Sequence, residues 1–197
     1  MKNVTKFALA LVVFFSTIAM RANDDFSVRV KSGAGKQISF TINDTKNVHI
    51  SIFSKDGVEV FDENIKSKDG KISRSYDLNA LPNGTYYLET ETKTRVDRRE
   101  ITLSGTTATV SEKTLTETYK PVMFSKDGLV TVSILNSDKT PVEIKMFDEN
   151  NNELYSETVT GEQSLAKRFD INKTTAKKIT FVMSYNNKTF VETVAAR

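Results

Sequence analysis

The chain has no cysteine and no tryptophan among its 197 residues, and His49 is its single histidine. Without cysteine there is no disulfide framework, no thiolate metal site and no lipid-modified N-terminal cysteine. One histidine cannot supply the ligand set of an ordinary zinc centre. A Ser-His-Asp system would have to be assembled around His49, and no Gly-x-Ser-x-Gly turn exists anywhere. The absence of tryptophan removes the broad ring on which sugars stack, leaving Tyr86, Tyr87, Tyr119 and Tyr155 as substitutes. Helical periodicity is also missing: beyond residue 22 no ten-residue stretch repeats apolar residues at three- and four-residue spacing.

Charge of one sign is scarce as well. Residues 1–22 open with Lys2 and Lys6, continue with an apolar run at 7–20 broken only by Ser16 and Thr17, and offer the small residues Ala19 and Ala22 for cleavage. This is the pattern of a secretory signal peptide, and its fourteen-residue run is short of the roughly 20 needed to span a bilayer. Removing Lys2, Lys6 and Arg21 from the 28 basic residues leaves 25 against 25 acidic ones. Such balance excludes the one-signed field that drives binding to nucleic acid or anionic membranes. The cluster Arg95-Val-Asp-Arg-Arg-Glu100 is interrupted by its own acids and reads as a solvated strand or loop.

What is present is period-two alternation, said nearly twice. Val48-His-Ile-Ser-Ile-Phe53 returns 94 positions later as Val142-Glu-Ile-Lys-Met-Phe147, and the same offset carries Ile38 onto Val132 and Phe40 onto Ile134. Val48, Ile50 and Ile52 point to one face of a strand and His49 and Ser51 to the other, as do Val142, Ile144 and Met146 against Glu143 and Lys145. Lys55-Asp-Gly57 and Lys126-Asp-Gly128 are tight-turn signals, because Asp-Gly accepts the positive φ of a hairpin. Strands are expected at 26–31, 37–42, 47–53, 58–65, 71–78, 85–92 and 98–103, then at 118–124, 129–135, 141–147, 153–159, 165–170, 178–185 and 189–194. The fold class is all-β: two tandem immunoglobulin- or fibronectin-III-like antiparallel β-sandwiches after a signal peptide. The divisions are 1–22 signal peptide, 23–110 first sandwich, 111–117 linker and 118–197 second sandwich. Phe40, Phe61, Tyr76, Leu78, Leu81, Tyr87 and Leu88 are the expected core of the first. Phe124, Ile134, Phe169, Ile171, Phe181 and Met183 are that of the second.

Tyr76-Asp-Leu-Asn-Ala-Leu-Pro-Asn-Gly-Thr-Tyr-Tyr-Leu88, after an Asp-Gly hairpin and a valine-rich return strand, resembles the C-terminal sorting domain of the type IX secretion system. The resemblance covers residues 48–103, with a diverged copy at 118–197. It extends to other immunoglobulin-like domains exported by Bacteroidetes-type bacteria. It implies a small seven-stranded β-sandwich, with Pro82 and Gly84 building a turn and a tyrosine opening the next strand. The diverged copy has Asp170-Ile-Asn-Lys-Thr-Thr-Ala-Lys-Lys-Ile179 there, without the Pro and Gly.

Other candidates reduce to simpler readings. Asp24-Asp25, Asp62-Glu63 and Asp148-Glu149 are adjacent acids, and neighbours on a strand face opposite ways, unlike a glycosidase pair. Asp148-Glu-Asn-Asn-Asn-Glu153 begins like a calcium loop but has Glu153 where the glycine belongs and Val159 where the bidentate acid belongs. Glycosylation patterns at Asn43, Asn83, Asn172 and Asn187 arise by chance in an Asn- and Thr-rich chain. No catalytic, cofactor or metal residue is assigned. The expectation is a non-enzymatic, exported binding or structural module of the bacterial envelope or surface, contacting a protein or other surface macromolecule through sandwich faces or edges. A sorting module and a glycan- or small-ligand-binding module are the alternatives. Neither nucleic acid nor, once the signal is removed, a membrane span is expected.

Overall fold

A computed structural model describes residues 29–32, 35–43 and 46–196 of the chain. The signal peptide at 1–22 and the Asp24-Asp25 pair lie outside the described residues. Among the described residues every regular element is a strand except a short 3-10 helix at Ile171–Lys173, and every pairing is antiparallel.

The strands gather around two hydrophobic cores. Strands β1 (Arg29–Ser32), β2 (Gln37–Ile42) and β5 (Ile72–Asp77) form one sheet in the order β1-β2-β5. It faces a larger sheet of β4 (Glu59–Lys66), β3 (Asn47–Ser54), β6 (Gly84–Glu91), β7 (Arg95–Ser104) and β8 (Thr107–Val110), in that order. Ile38, Phe40, Ile42 and Ile72 from the first meet Val48, Ile50, Ile52, Leu88, Ile101 and Leu103 from the second. Around the second core, β10 (Val122–Lys126), β11 (Leu129–Leu135) and β14 (Ser164–Asp170) face β13 (Glu153–Val159), β12 (Val142–Phe147), β15 (Lys178–Tyr185) and β16 (Lys188–Ala195).

The two halves share strand order and register. Order β4-β3-β6-β7 matches β13-β12-β15-β16. The pairs Val48–Ile65 and Ile52–Phe61 reappear as Val142–Val159 and Met146–Tyr155, and a bulge between Ile52 and Phe53 recurs between Met146 and Phe147. Period-two side-chain alternation is the cause: slipping either strand by one residue would turn its buried triplet outward.

Three expectations change. The segment read as a linker at 111–117 ends inside a strand: β9 (Thr116–Tyr119) pairs with β7 beside β8, so both join the first large sheet. Threonine-rich composition reads as linker, yet β-branched threonine fits a pleated edge, and Ala108 is drawn into the core. Only Lys120 and Pro121 then separate β9 from β10. Among the core residues, Tyr87 faces outward and Tyr86 takes the inner place, while Phe124 is 63% exposed. In β10 it is Met123 that packs inward, so the alternation leaves Phe124 opposite the outward Thr131.

The pentapeptide Phe-Ser-Lys-Asp-Gly at 53–57 and 124–128 makes two different turns. Asp127 and Gly128 both have positive φ, 51° and 72°, and form a two-residue hairpin between the paired Lys126 and Leu129. In the first copy only Gly57 has positive φ, and its N–H donates to the Ser54 carbonyl at 3.0 Å. Their surroundings differ too. A Cβ on Gly128 would lie 2.0 Å from Asn172 Oδ1, whereas one on Gly57 would meet nothing within 4 Å. Gly57→Ala is expected to cost about 1 kcal/mol of backbone strain. Gly128→Ala should cost clearly more, on the order of 2–3 kcal/mol, because Asn172 must also move. Denaturant melts of both variants check this, and equal losses would contradict it.

Candidate functional site

The stretch at 77–88 carries the chain from the three-stranded sheet to the larger one. Asp77 Oδ1 accepts from the Asn79 backbone N–H at 2.9 Å and its side-chain amide at 2.7 Å, which starts the turn. Leu78 is buried, and the Leu81 N–H donates to its carbonyl at 3.0 Å. The Lys36 ammonium donates to the Leu81 carbonyl at 2.8 Å. The Tyr86 hydroxyl then donates to the Pro82 carbonyl at 3.0 Å, four residues upstream, with its ring buried. A buried tyrosine bonding back to its own approach is the tyrosine corner of immunoglobulin-like sandwiches. In the second half Asp170 accepts from the Asn172 N–H at 3.1 Å and Ile171 fills the place of Leu78, but a 3-10 turn replaces Pro and Gly.

The outer face of β3, β4, β6 and β7 collects most of the charge chemistry. His49 bonds the Asp62 carboxylate through Nε2, and its Nδ1 lies 3.7 Å from Glu91. Lys120 completes the group at 2.5 Å from Glu91, in a cleft of about 430 Å³. The Asp62 hydrogen bond raises the His49 pKa above its usual value, opposed by burial and assisted by the charges of Asp62 and Glu91. Two neighbouring carboxylates favour the charged form of the imidazole, the opposite of the tuning that suits a general base. Farther along the face, Glu89 is 93% buried by side-chain area, in contact with Arg98 at 3.1 Å and with Lys188 of β16. Arg98 in turn lies over the Tyr87 ring, 4.1 Å from its centroid.

Inside the end of the same sheet, Asp97 pairs with Arg95 at 3.3 Å, and Arg95 also reaches Glu117 of β9 at 2.9 Å. Asp97 is only 2% exposed, and its Oδ1 has no hydrogen-bond partner. Burial pushes its pKa up to about 6, opposed by Arg95 and assisted by Glu117.

These positions revise several sequence expectations. The segment at 95–100 is a half-buried strand rather than a solvated one, because β9 pairs along it. Asp62 and Glu63 do face opposite ways, Asp62 to His49 and Glu63 to the Tyr76 hydroxyl at 2.7 Å. Asp148 and Glu149 instead occupy a turn. Asp148 Oδ1 accepts from the Asn150 and Asn152 amides at 2.8 Å each, so the calcium-like stretch uses its first acid to bind backbone. Of the four tyrosines, Tyr86 is buried, Tyr119 and Tyr155 are half-buried, and Tyr87 lies beneath Arg98. Sequence reading missed Glu89, Asp97 and Lys188. An acid on an outer strand position signals nothing until a second element is known to cover it.

The Asp97 environment has a pH consequence. Its folded pKa lies above the usual 3.8, so the folded state holds a proton that the unfolded chain releases between about pH 4 and 6. Stability therefore falls as pH rises through that window and stays lower above it. Asp97→Asn should flatten this loss and raise stability at pH 7.5 by on the order of 1–2 kcal/mol, with little gain below pH 4. Melting curves across pH 4–8 test it, and a variant less stable than wild type at pH 7.5 would refute it.

No curated protein matches the chain. Among solved structures, a biofilm-associated protein BSP domain shares 15% identity, with a TM-score of 0.27, over 84% of this chain and 29% of that one. A Salmonella alpha-2-macroglobulin shares 11% identity, with a TM-score of 0.29, over 86% of this chain and 14% of that one. The chain thus spans less than a third of either protein. The family model described as the secretion system C-terminal sorting domain matches residues 34–103. Those residues run from the start of the first core through the tyrosine corner to the end of β7, and over that segment the chain is similar to the C-terminal sorting domain family.

Proposed function

We propose that this is an exported protein handled by the type IX secretion route, with residues 34–103 as its sorting-type β-sandwich and residues 122–196 as a second sandwich in tandem. The coincidence of the family match with the first core carries the reading. In this reading the chain is not an enzyme. Supporting that view, both ring nitrogens of His49 face carboxylates, and no nucleophile is bonded to them. Its destination is the cell surface or the medium.

A second reading, a structural or binding module of the envelope, draws on a different observation. The matched segment is followed by another complete core rather than closing the described chain. That second core would then be the part that meets a partner.

Fractionation with intact mass spectrometry, in cells with and without a working type IX translocon, separates the two. Surface or extracellular protein that is lost from those fractions in the mutant is the expected result. An unchanged periplasmic distribution would reject the sorting route and leave the envelope module.

A further inference from the structure

Glu89 stands on the face of β6 that points away from its own core, cross-strand from Ser51. An outward carboxylate in a half-solvated sheet should be wet, yet Glu89 and Ser51 are 6% and 5% exposed. The cover comes from the other core. The β15–β16 hairpin turns at Asn186 and Asn187, both with positive φ, and brings Lys188 onto this face. Its ammonium bonds Glu89 Oε2 and lies 6.0 Å from the centroid of the Phe53 ring. Beside it the buried Tyr185 hydroxyl donates to the Tyr119 carbonyl of β9. A polar cleft of about 770 Å³, lined by Thr116 on one side and Thr140, Ser184 and Asn187 on the other, flanks the contact.

The receiving surface is built for a cation. Arg98 reaches only one oxygen of Glu89, Oε1, and leaves Oε2 to a second donor. Phe53 adds the negative face of an aromatic ring. A carboxylate this buried is tolerated when its partners are present, and withdrawal of one is strongly unfavourable. We infer that Glu89, Phe53 and Arg98 form a lysine-accepting site on the outer face of the first sandwich. Lys188 fills it in cis, locking the two cores in one orientation and masking that face from other partners.

The tether alone leaves the orientation to this contact. Pro121 fixes its own φ and biases Lys120 toward extended backbone, but neither sets the rotation between the cores. The inference is independent of the secretion route, since purified protein reports it. The chain has no cysteine, so Lys68→Cys and Asn150→Cys, at exposed turns of the two halves, give clean spin-label sites. Pulsed dipolar spectroscopy should show one narrow distance distribution for the parent protein. Lys188→Glu should widen it at least twofold, and Lys188→Arg, which keeps the charge, should leave it narrow. Lys188→Met, which keeps the stem and removes the charge, should widen it to an intermediate extent, and melts of every variant report whether each core stays folded. A distribution unchanged in Lys188→Glu and Lys188→Met, or one as broad in Lys188→Arg as in Lys188→Glu, would overturn the lock.

Discussion

In each core a strand paired on both sides, β3 or β12, commits three alternate residues to the interior. Val48, Ile50 and Ile52 are at most 2% exposed, and Val142, Ile144 and Met146 at most 7%. Burying each of these side chains contributes about 1.5–3 kcal/mol before conformational entropy is charged against it. The register of β4 and β6, or of β13 and β15, follows from where those triplets sit. So does the position of the opposing sheet, whose Phe40 or Ile134 must fill the space between. The shared bulge at Phe53 and Phe147 marks where the strand bends into its hairpin, and both copies resolve that bend in the same way.

The two halves spend their outer faces differently. The first large sheet is extended along β7 by β8 and β9, and part of its outer face is covered by the hairpin tip that carries Lys188. Glu89 becomes buried there and is met by Arg98 and Lys188, while Asp97, inside the end of the same sheet, is met by Arg95. Among the described residues β16 pairs with β15 alone, and Val191 stays exposed. The outward side of β10 and β11 likewise leaves Val122, Phe124 and Leu135 exposed. One framework thus carries a covered, ion-paired face in one half and open, more apolar faces in the other.

The corner at 77–88 is a structural fastening: Asp77 holds the turn through Asn79, and Pro82 contributes a carbonyl to the buried Tyr86. On the outer surface, His49, Asp62, Glu91 and Lys120 instead form an interlocked ionic group.

Local pattern was enough to read the all-β class, the inner faces of β3 and β12 and the Lys126-Asp-Gly128 hairpin. Each depends on side-chain alternation or on the φ a single residue tolerates, and both are properties of neighbours in the chain. The exposure of Phe124 and the exchange of Tyr87 for Tyr86 required the strand register, which pairing partners set. The strand roles of residues 107–110 and 116–119 required the free edge of β7 to be present. Burial of Glu89 beneath Lys188, 99 residues away, was decided by tertiary structure alone, because the desolvation of a charge depends on what covers it and not on its sequence neighbours.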